Sequence, residues 1–309
     1  MIKNYSVRTD LALEEKERFE SDHVEISGVV LEEDYDEASE LRVTRVEIKT
    51  ENGAKAMGKP VGTYLTIETP NLAMPDEKSQ TVIAEKVCSF IKELIRKFEV
   101  KDKDLSILVV GLGNREVTPD SLGPCVADHL SVTRHIVKEY GKYALDGEAD
   151  RLVSAVVPGV MGQTGMETVE IVRGIVEETE PDFVIAIDAL AARSVRRLNR
   201  TIQIADTGIA PGSGVGNHRN AITEETVGVP VIAIGVPTVV DAATIVGDSI
   251  EEYVAKCRDE GMRENKEHLI PPYLYGMFVT PKDIDETMER TSYTISEALN
   301  ALAAGQAHI

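Results

Sequence analysis

The sequence predicts an α/β fold: a mainly parallel central sheet flanked by helices, with a strand-rich N-terminal extension. Three observations predict it. From Leu105 onward, short runs apolar on both faces recur as SILVVGL, LVSAVVP, FVIAID, TIQIAD and VPVIAIG. Strands enclosed between two helix layers have this composition. Segments of helical period separate several of them, and such strand–helix alternation gives parallel sheets. The first run also ends in Gly111-Leu112-Gly113-Asn114, a tight turn before a helical segment.

The elements follow in order. HVEISGVVLEE, LRVTRVEIKT and GTYLTIETP, within residues 23–70, alternate apolar and polar side chains as half-buried strands do. The period changes over Asp76–Phe98, where Val82, Ile83, Val87, Phe90, Ile91, Leu94, Ile95 and Phe98 recur at helical spacing. Helices are expected at TGMETVEIVRGIVEETE, after VPTVVDAATIV, and over residues 281–304. No linker rich in Gly, Pro or Ser divides the chain, so the main body reads as one domain with a strand-rich part near residues 22–75.

Composition narrows the function. The net charge of −20 disfavours binding to nucleic acid or to anionic lipid. No apolar run has the uninterrupted length of a membrane span, since Val229–Val240 contains Pro230, Gly235 and Pro237. The first twenty or so residues lack a signal-peptide core. Three cysteines, Cys88, Cys125 and Cys257, lie far apart and outside C-x-x-C spacing. This argues against a disulfide framework or a zinc site and fits a reducing cytoplasm.

The turn LVVGLGNREVTPDSLGP resembles the start of a dinucleotide site, but Glu116 stands where the third glycine is needed. A carboxylate there would repel a pyrophosphate. Ligands of open α/β sheets bind beyond the carboxyl ends of the strands, and four aspartates fall there: Asp120, Asp188, Asp206 and Asp241. Thr118 and Pro119 suit the N-cap and first position of a helix, which places Asp120 in a first turn that favours its ionised form. Asp188 lies within the apolar run FVIAIDALAA, where desolvation raises a carboxyl pKa. One ionised and one protonated carboxyl make a general base and a general acid. Spacing alone leaves a second reading open, in which Asp120 only caps a helix and Asp188 only ends a strand.

Other motifs carry less. The glycine-rich Asp206–Asn220 holds His218 and Arg219 but lacks the Lys-Ser/Thr ending of a P-loop. No H-E-x-x-H pair suggests a zinc peptidase, and Ser121 and Ser194 lack the G-x-S-x-G elbow. Cys125 reads as a structural thiol. No metal site is expected.

VVGLGNREVTPDSLGP, VVPGVMGQTGMET, FVIAIDALAARS, DTGIAPGSGVGNHR and GVPTVVDAAT together resemble the germination protease family of spore-forming bacteria, as does the N-terminal RTDLALE. The resemblance covers nearly the whole chain. It implies an atypical aspartic endopeptidase of the spore core that degrades small acid-soluble spore proteins, forms a homotetramer and needs no established cofactor. Its catalytic pair maps onto Asp120 and Asp188. Gly111, Gly113, Asn114, Arg193, His218 and Arg219 become candidates for the substrate cleft. The fold is expected to be similar to that of the hydrogenase-maturation peptidases, through the GxGN turn. The family is made as a zymogen cut at a site that Asp10-Leu11-Ala12-Leu13-Glu14 matches, which implies a propeptide of residues 1–10, self-cleavage between Asp10 and Leu11, and a peptidase domain of residues 11–309. Alternatively, Asp10 caps a helix from Leu11 in the helix-forming LALEEKERFE. Two further classes stay open: a metal-dependent peptidase, and a spore-protein binding module without catalysis.

Overall fold

A computed structural model describes residues 9–21, 26–74, 76–98, 100, 105–145, 151–215, 219–257 and 270–305. The helices are α1 (Ala12–Ser21), α2 (Glu51–Met57), α3 (Glu77–Lys97), α4 (Leu122–Asp128), α5 (Arg134–Tyr140), α6 (Met161–Thr164), α7 (Thr168–Thr179), α8 (Glu224–Val227), α9 (Ala242–Cys257) and α10 (Ile284–Ala303). The strands are β1 (Val29–Asp36), β2 (Leu41–Ile48), β3 (Gly62–Glu68), β4 (Ser106–Gly111), β5 (Leu152–Val156), β6 (Phe183–Ala192), β7 (Thr201–Ala205), β8 (Val231–Asp241) and β9 (Phe278–Val279). One mixed sheet runs in the order β1-β2-β3-β7-β8-β6-β4-β5, with β9 added to β8.

The half β5-β4-β6-β8 is parallel, and the half from β1 to β7 is antiparallel throughout. The mainly parallel sheet is therefore corrected to a mixed one. The strand that differs is β7, which runs antiparallel to β8 as well as to β3. Only residues 193–200 join β6 to β7. A parallel crossover needs a dozen or more residues, so the chain turns back and β7 joins the two halves.

Local sequence explains the elements around the site. Asp76 caps α3 by accepting a hydrogen bond from the Ser79 amide, and the apolar stripe of α3 enters the core with Ile107, Ile185, Ile187, Ile232 and Ile234. Helices α3, α4 and α10 cover that face of the sheet. On the other face, α7 and α8 pack over Leu108, Val110, Val184 and Ala186. The short α2 has no periodic signal. Its ends are fixed by Thr50, which accepts from the Gly53 amide, and by Gly58 in the left-handed region at φ 61°.

Strands β6 and β8 extend past their expected ends through ALAA and VPTVVD. Their register shifts between Leu190 and Ala191 beside Pro237, which has no N–H to give the ladder. Strand β4 follows β6 only as far as Gly111 opposite Ile187. Beyond that point Ala191 pairs with the N-terminal segment instead: the Asp10 amide donates to the Ala191 carbonyl at 2.9 Å.

Candidate active site

The glycine turn packs chain against chain. A Cβ on Gly111 would lie 2.4 Å from the Gly123 carbonyl oxygen, and one on Gly123 equally close to Leu112. Strand β4 and helix α4 thus meet backbone to backbone. Gly113 adopts φ +110°, and a Cβ there would meet the Asp120 carbonyl oxygen at 1.9 Å. Glu116, in place of the third glycine, is exposed. The turn is filled by its own aspartate loop.

Asp120 does not sit in the first turn of an α-helix, which corrects the capping expectation. Residues 118–120 form one 3₁₀ turn without a side-chain cap, and α4 begins only at Leu122. Pro119 needs no N–H in this turn, and Thr238 on β8 donates to its carbonyl at 2.6 Å, which ties the turn to the sheet. The Asp120 carboxylate accepts from the Asn114 amide at 2.8 Å. Burial nevertheless pushes its pKa up, with that single donor opposing. A position in the first turn of a helix would shift it the other way.

Asp188 lies on β6, buried at 4% exposure. Desolvation holds its carboxyl well above the usual range, the Asp120 and Asp10 carboxylates raise it further, and the Ala189 amide opposes. Asp188 and Asp120 line one cleft with Gly113, Met161, Arg219 and Thr238. Asp206 and Asp241, the other strand-end aspartates, are committed elsewhere. Asp206 accepts from the Thr63 amide and pairs with Lys97. Asp241 accepts from the Thr244 amide at 3.0 Å, at the start of α9.

The N-terminal segment lies across this site. The Asp10 carboxylate accepts from the Ala191 amide at 2.9 Å and from the Ser213 hydroxyl at 2.7 Å. Leu11 is fully buried against Leu190, Ala192, Leu198 and Val240. Glu14 is fixed by the amides of Arg193 and Ser194 at 2.7 and 3.0 Å, by the Arg197 guanidinium and by the Thr9 hydroxyl. Arg197 also reaches Glu17 and Glu68. The helix α1 begins at Ala12, so Asp10 precedes it with its carboxylate turned to Ala191 rather than capping it. Asp10 and Asp188 also border a second cleft, with Lys59, Tyr64, Gln203 and Gly235.

The remaining cleft candidates divide. Gly113 and Arg219 line the Asp120 cleft, and Arg219 also contacts the Met161 sulfur at 3.0 Å. Asn114 supports Asp120 through its amide, and its side chain accepts from Gln163. Gly111 is buried at the α4 contact and supports the turn from behind. Arg193 serves Glu14 through its backbone, while its guanidinium reaches Asp248 at 3.2 Å. His218 lies outside the described residues. Sequence reasoning missed Lys59, Arg197, Gln203 and Ser213. Only Gln203 left a local signal, a polar side chain inside the buried run TIQIA.

Glu14 provides a test of how the segment is held. Glu14→Ala leaves two half-buried amides without an acceptor, at a cost of about 2 kcal/mol. Amide exchange at Arg193 and Ser194 is expected to rise roughly 30-fold, the factor matching that energy. Unchanged exchange would show that another contact fixes the segment.

Comparison with known proteins shows the family of the chain. The germination protease family model matches residues 7–273. A germination protease of Caldanaerobacter subterraneus subsp. tengcongensis is 47% identical over 317 residues, covering 97% of this chain and 95% of that protein. One of Clostridium perfringens is 44% identical over 316 residues, covering 96% and 94%. One of Priestia megaterium is 47% identical over 269 residues, covering 85% and 71%. The mixed α/β chain is thereby of a peptidase class that acts on protein substrates. The chain belongs to the germination protease family. Among the described residues no helix is long and apolar enough to cross a membrane, and no three His, Cys, Asp or Glu side chains gather as metal ligands would.

Proposed function

We propose that this germination protease is an aspartic-type endopeptidase in which Asp120 and Asp188 activate water and protonate the leaving amine. The observation that carries the reading is the placement of both carboxyls in one cleft, beside a chain segment seated across it. Asp188, buried at the cleft and facing two other carboxylates, is the natural holder of the proton, and Asp120, with an amide donor, the natural base. Because the two are coupled, the pair titrates as a unit. By its family resemblance, the substrates are small acid-soluble spore proteins, the enzyme works in the spore core as a homotetramer, and the fold is akin to that of the hydrogenase-maturation peptidases. Residues 1–10 are a propeptide, removed by self-cleavage between Asp10 and Leu11 to leave a peptidase domain of residues 11–309. Residues 1–8 lie outside the described part.

The reading is tested by incubating the processed protein with a small acid-soluble spore protein and sequencing the new chain ends, with and without exhaustive chelation. Discrete new ends that survive chelation support it. Binding without cleavage would leave a recognition module, and loss on chelation would make the enzyme metal-dependent. Self-processing carries its own pH signature. Desolvation raises both carboxyls, and Asp120 and Asp10 raise Asp188 further, so the shared proton persists into a range where an ordinary carboxyl has lost it. The processing rate should fall as pH rises through that raised titration, and fall again at low pH once both carboxyls are protonated. Mass-spectrometric timing of the Leu11 end across pH reads this bell, and a rate still climbing on the alkaline side would exclude the pair.

A further inference from the structure

The carbonyl oxygen of Asp10, the acyl oxygen of the Asp10–Leu11 bond, accepts two side-chain hydrogen bonds. Lys59 Nζ donates to it at 2.9 Å and Gln203 Nε2 at 3.1 Å. We infer that Lys59 and Gln203 form the electrophilic site of the peptidase, holding the oxygen of the bond being cut while negative charge develops on it. The inference rests on the reading that Asp10–Leu11 is a bond this cleft cleaves.

Neither donor is there by chance of a loose side chain. Lys59 follows Gly58, the left-handed end of α2, and its own amide donates to the Ala54 carbonyl. The next residue, Pro60, is held through its carbonyl by the Tyr64 hydroxyl at 2.9 Å. The stem of Lys59 therefore enters the cleft from a fixed turn. Burial pushes the ammonium pKa down, while the Asp10, Glu15 and Glu14 carboxylates pull it back up. Gln203 has only one workable orientation. Its Oε1 accepts from the Ala12 amide at 2.7 Å, and since a backbone N–H can only donate, Nε2 is left facing the Asp10 carbonyl.

The sheet sets the opposite side of the site. Gly235 on β8 is in register with Asp188 on β6 and with Gln203 on β7. Residues level with one another across a sheet point to the same face, so Asp188 and Gln203 share a face with only a glycine between them. A side chain at 235 would collide with Leu190, 2.4 Å from its Cβ, and Leu190 in turn packs on Leu11. Asp188, Lys59 and Gln203 thus line one cleft, which Asp10 also borders.

The step balances without a further reactant. Water adds to the Asp10 carbonyl carbon as its proton passes to the ionised carboxylate of the pair. The electron pair moves onto the carbonyl oxygen, where the Lys59 and Gln203 N–H groups are already aimed. Collapse breaks the C–N bond, and the leaving Leu11 nitrogen takes a proton from a carboxyl. The products are the Asp10 carboxyl and the Leu11 amine, and both donors keep their protons throughout.

The test follows processing of the full chain in wild type, Asp188→Asn, Lys59→Met, Lys59→Arg and Gln203→Met, timed by mass spectrometry of the Leu11 end, with thermal melting of each. Removing one oxyanion donor costs about 10²–10³ in rate. Lys59→Met and Gln203→Met are expected to slow processing at least about 100-fold while melting cooperatively, and Lys59→Arg, which keeps a cationic donor, to recover within about tenfold of wild type. Folded Met variants that process within threefold of wild type would overturn the inference. If wild type forms no Leu11 end yet cuts a small acid-soluble spore protein, the self-cleavage reading alone fails, and the same variants are read on that substrate. A kcat drop of about 100-fold with little change in KM then supports the site, and unchanged kcat overturns it. A wild-type chain that cuts neither overturns both.

Discussion

Asp188→Asn is expected to fold and to lose most peptide-bond cleavage. The amide keeps the shape of the side chain but can neither store nor pass a proton, and general acid–base catalysis by one group is typically worth about 10² to 10⁴ in rate. Asp120→Asn should behave likewise, because the Asn114 amide that holds the carboxylate can donate to the substituted oxygen as well. The same Asp188 variant should also be more stable than wild type at neutral pH. Asp188 has a folded pKa raised by desolvation, then by Asp120 and Asp10, so the native state binds its proton more tightly than the unfolded chain does. Its contribution to stability is complete below the unfolded pKa and is lost as pH rises through the folded one. At pH 7 wild type bears that loss and the amide does not; at acid pH the two converge. Rate assays on a spore-protein substrate, with melting curves at several pH values, check both halves. A folded variant cleaving within threefold of wild type would remove that residue from the catalytic pair.

Gly113→Ala carries the second large effect, and it acts through the backbone. Position 113 has φ +110°, and the new methyl would fall 1.9 Å from the Asp120 carbonyl oxygen. The strained dihedral costs about 1–2 kcal/mol and overpacking about 1–3 more. The Asn114 amide that fixes Asp120 is one residue away, so relief of the clash must move the carboxylate. Misplacement of about 1 Å in a catalytic group can cost about 100-fold in rate. Denaturant unfolding and the cleavage assay together should show a loss of about 2–5 kcal/mol and a comparable collapse in rate. Gly228→Ala is the control for generic glycine strain: it too lies at positive φ, but its Cβ would meet nothing within 4 Å. If Gly113→Ala lowers activity no more than this control, the turn does not position Asp120.

Several features were legible in the sequence because they depend on near neighbours. The stripe of α3, the apolar runs of β4, β6 and β8, and Asp188 closing FVIAID are local patterns, and the observed elements follow them within a few residues. The departure from the dinucleotide fingerprint is local as well, since Glu116 alone breaks it. By itself, then, the sequence determined the element types, the family, and the two aspartates worth placing in a site. The tertiary structure decided the direction of β7, because connection length and partner strands set it, while the TIQIA run is equally apolar in either direction. It decided the sign of the Asp120 shift, because burial by distant elements outweighed one local donor. It also decided that Asp10, Lys59, Asp188 and Gln203 meet. Their convergence rests on the register of β6, β8 and β7 across Gly235 and on the edge of β6 left open where β4 ends. Those are pairings between residues far apart in the chain, and local periodicity carries no record of which strands become neighbours.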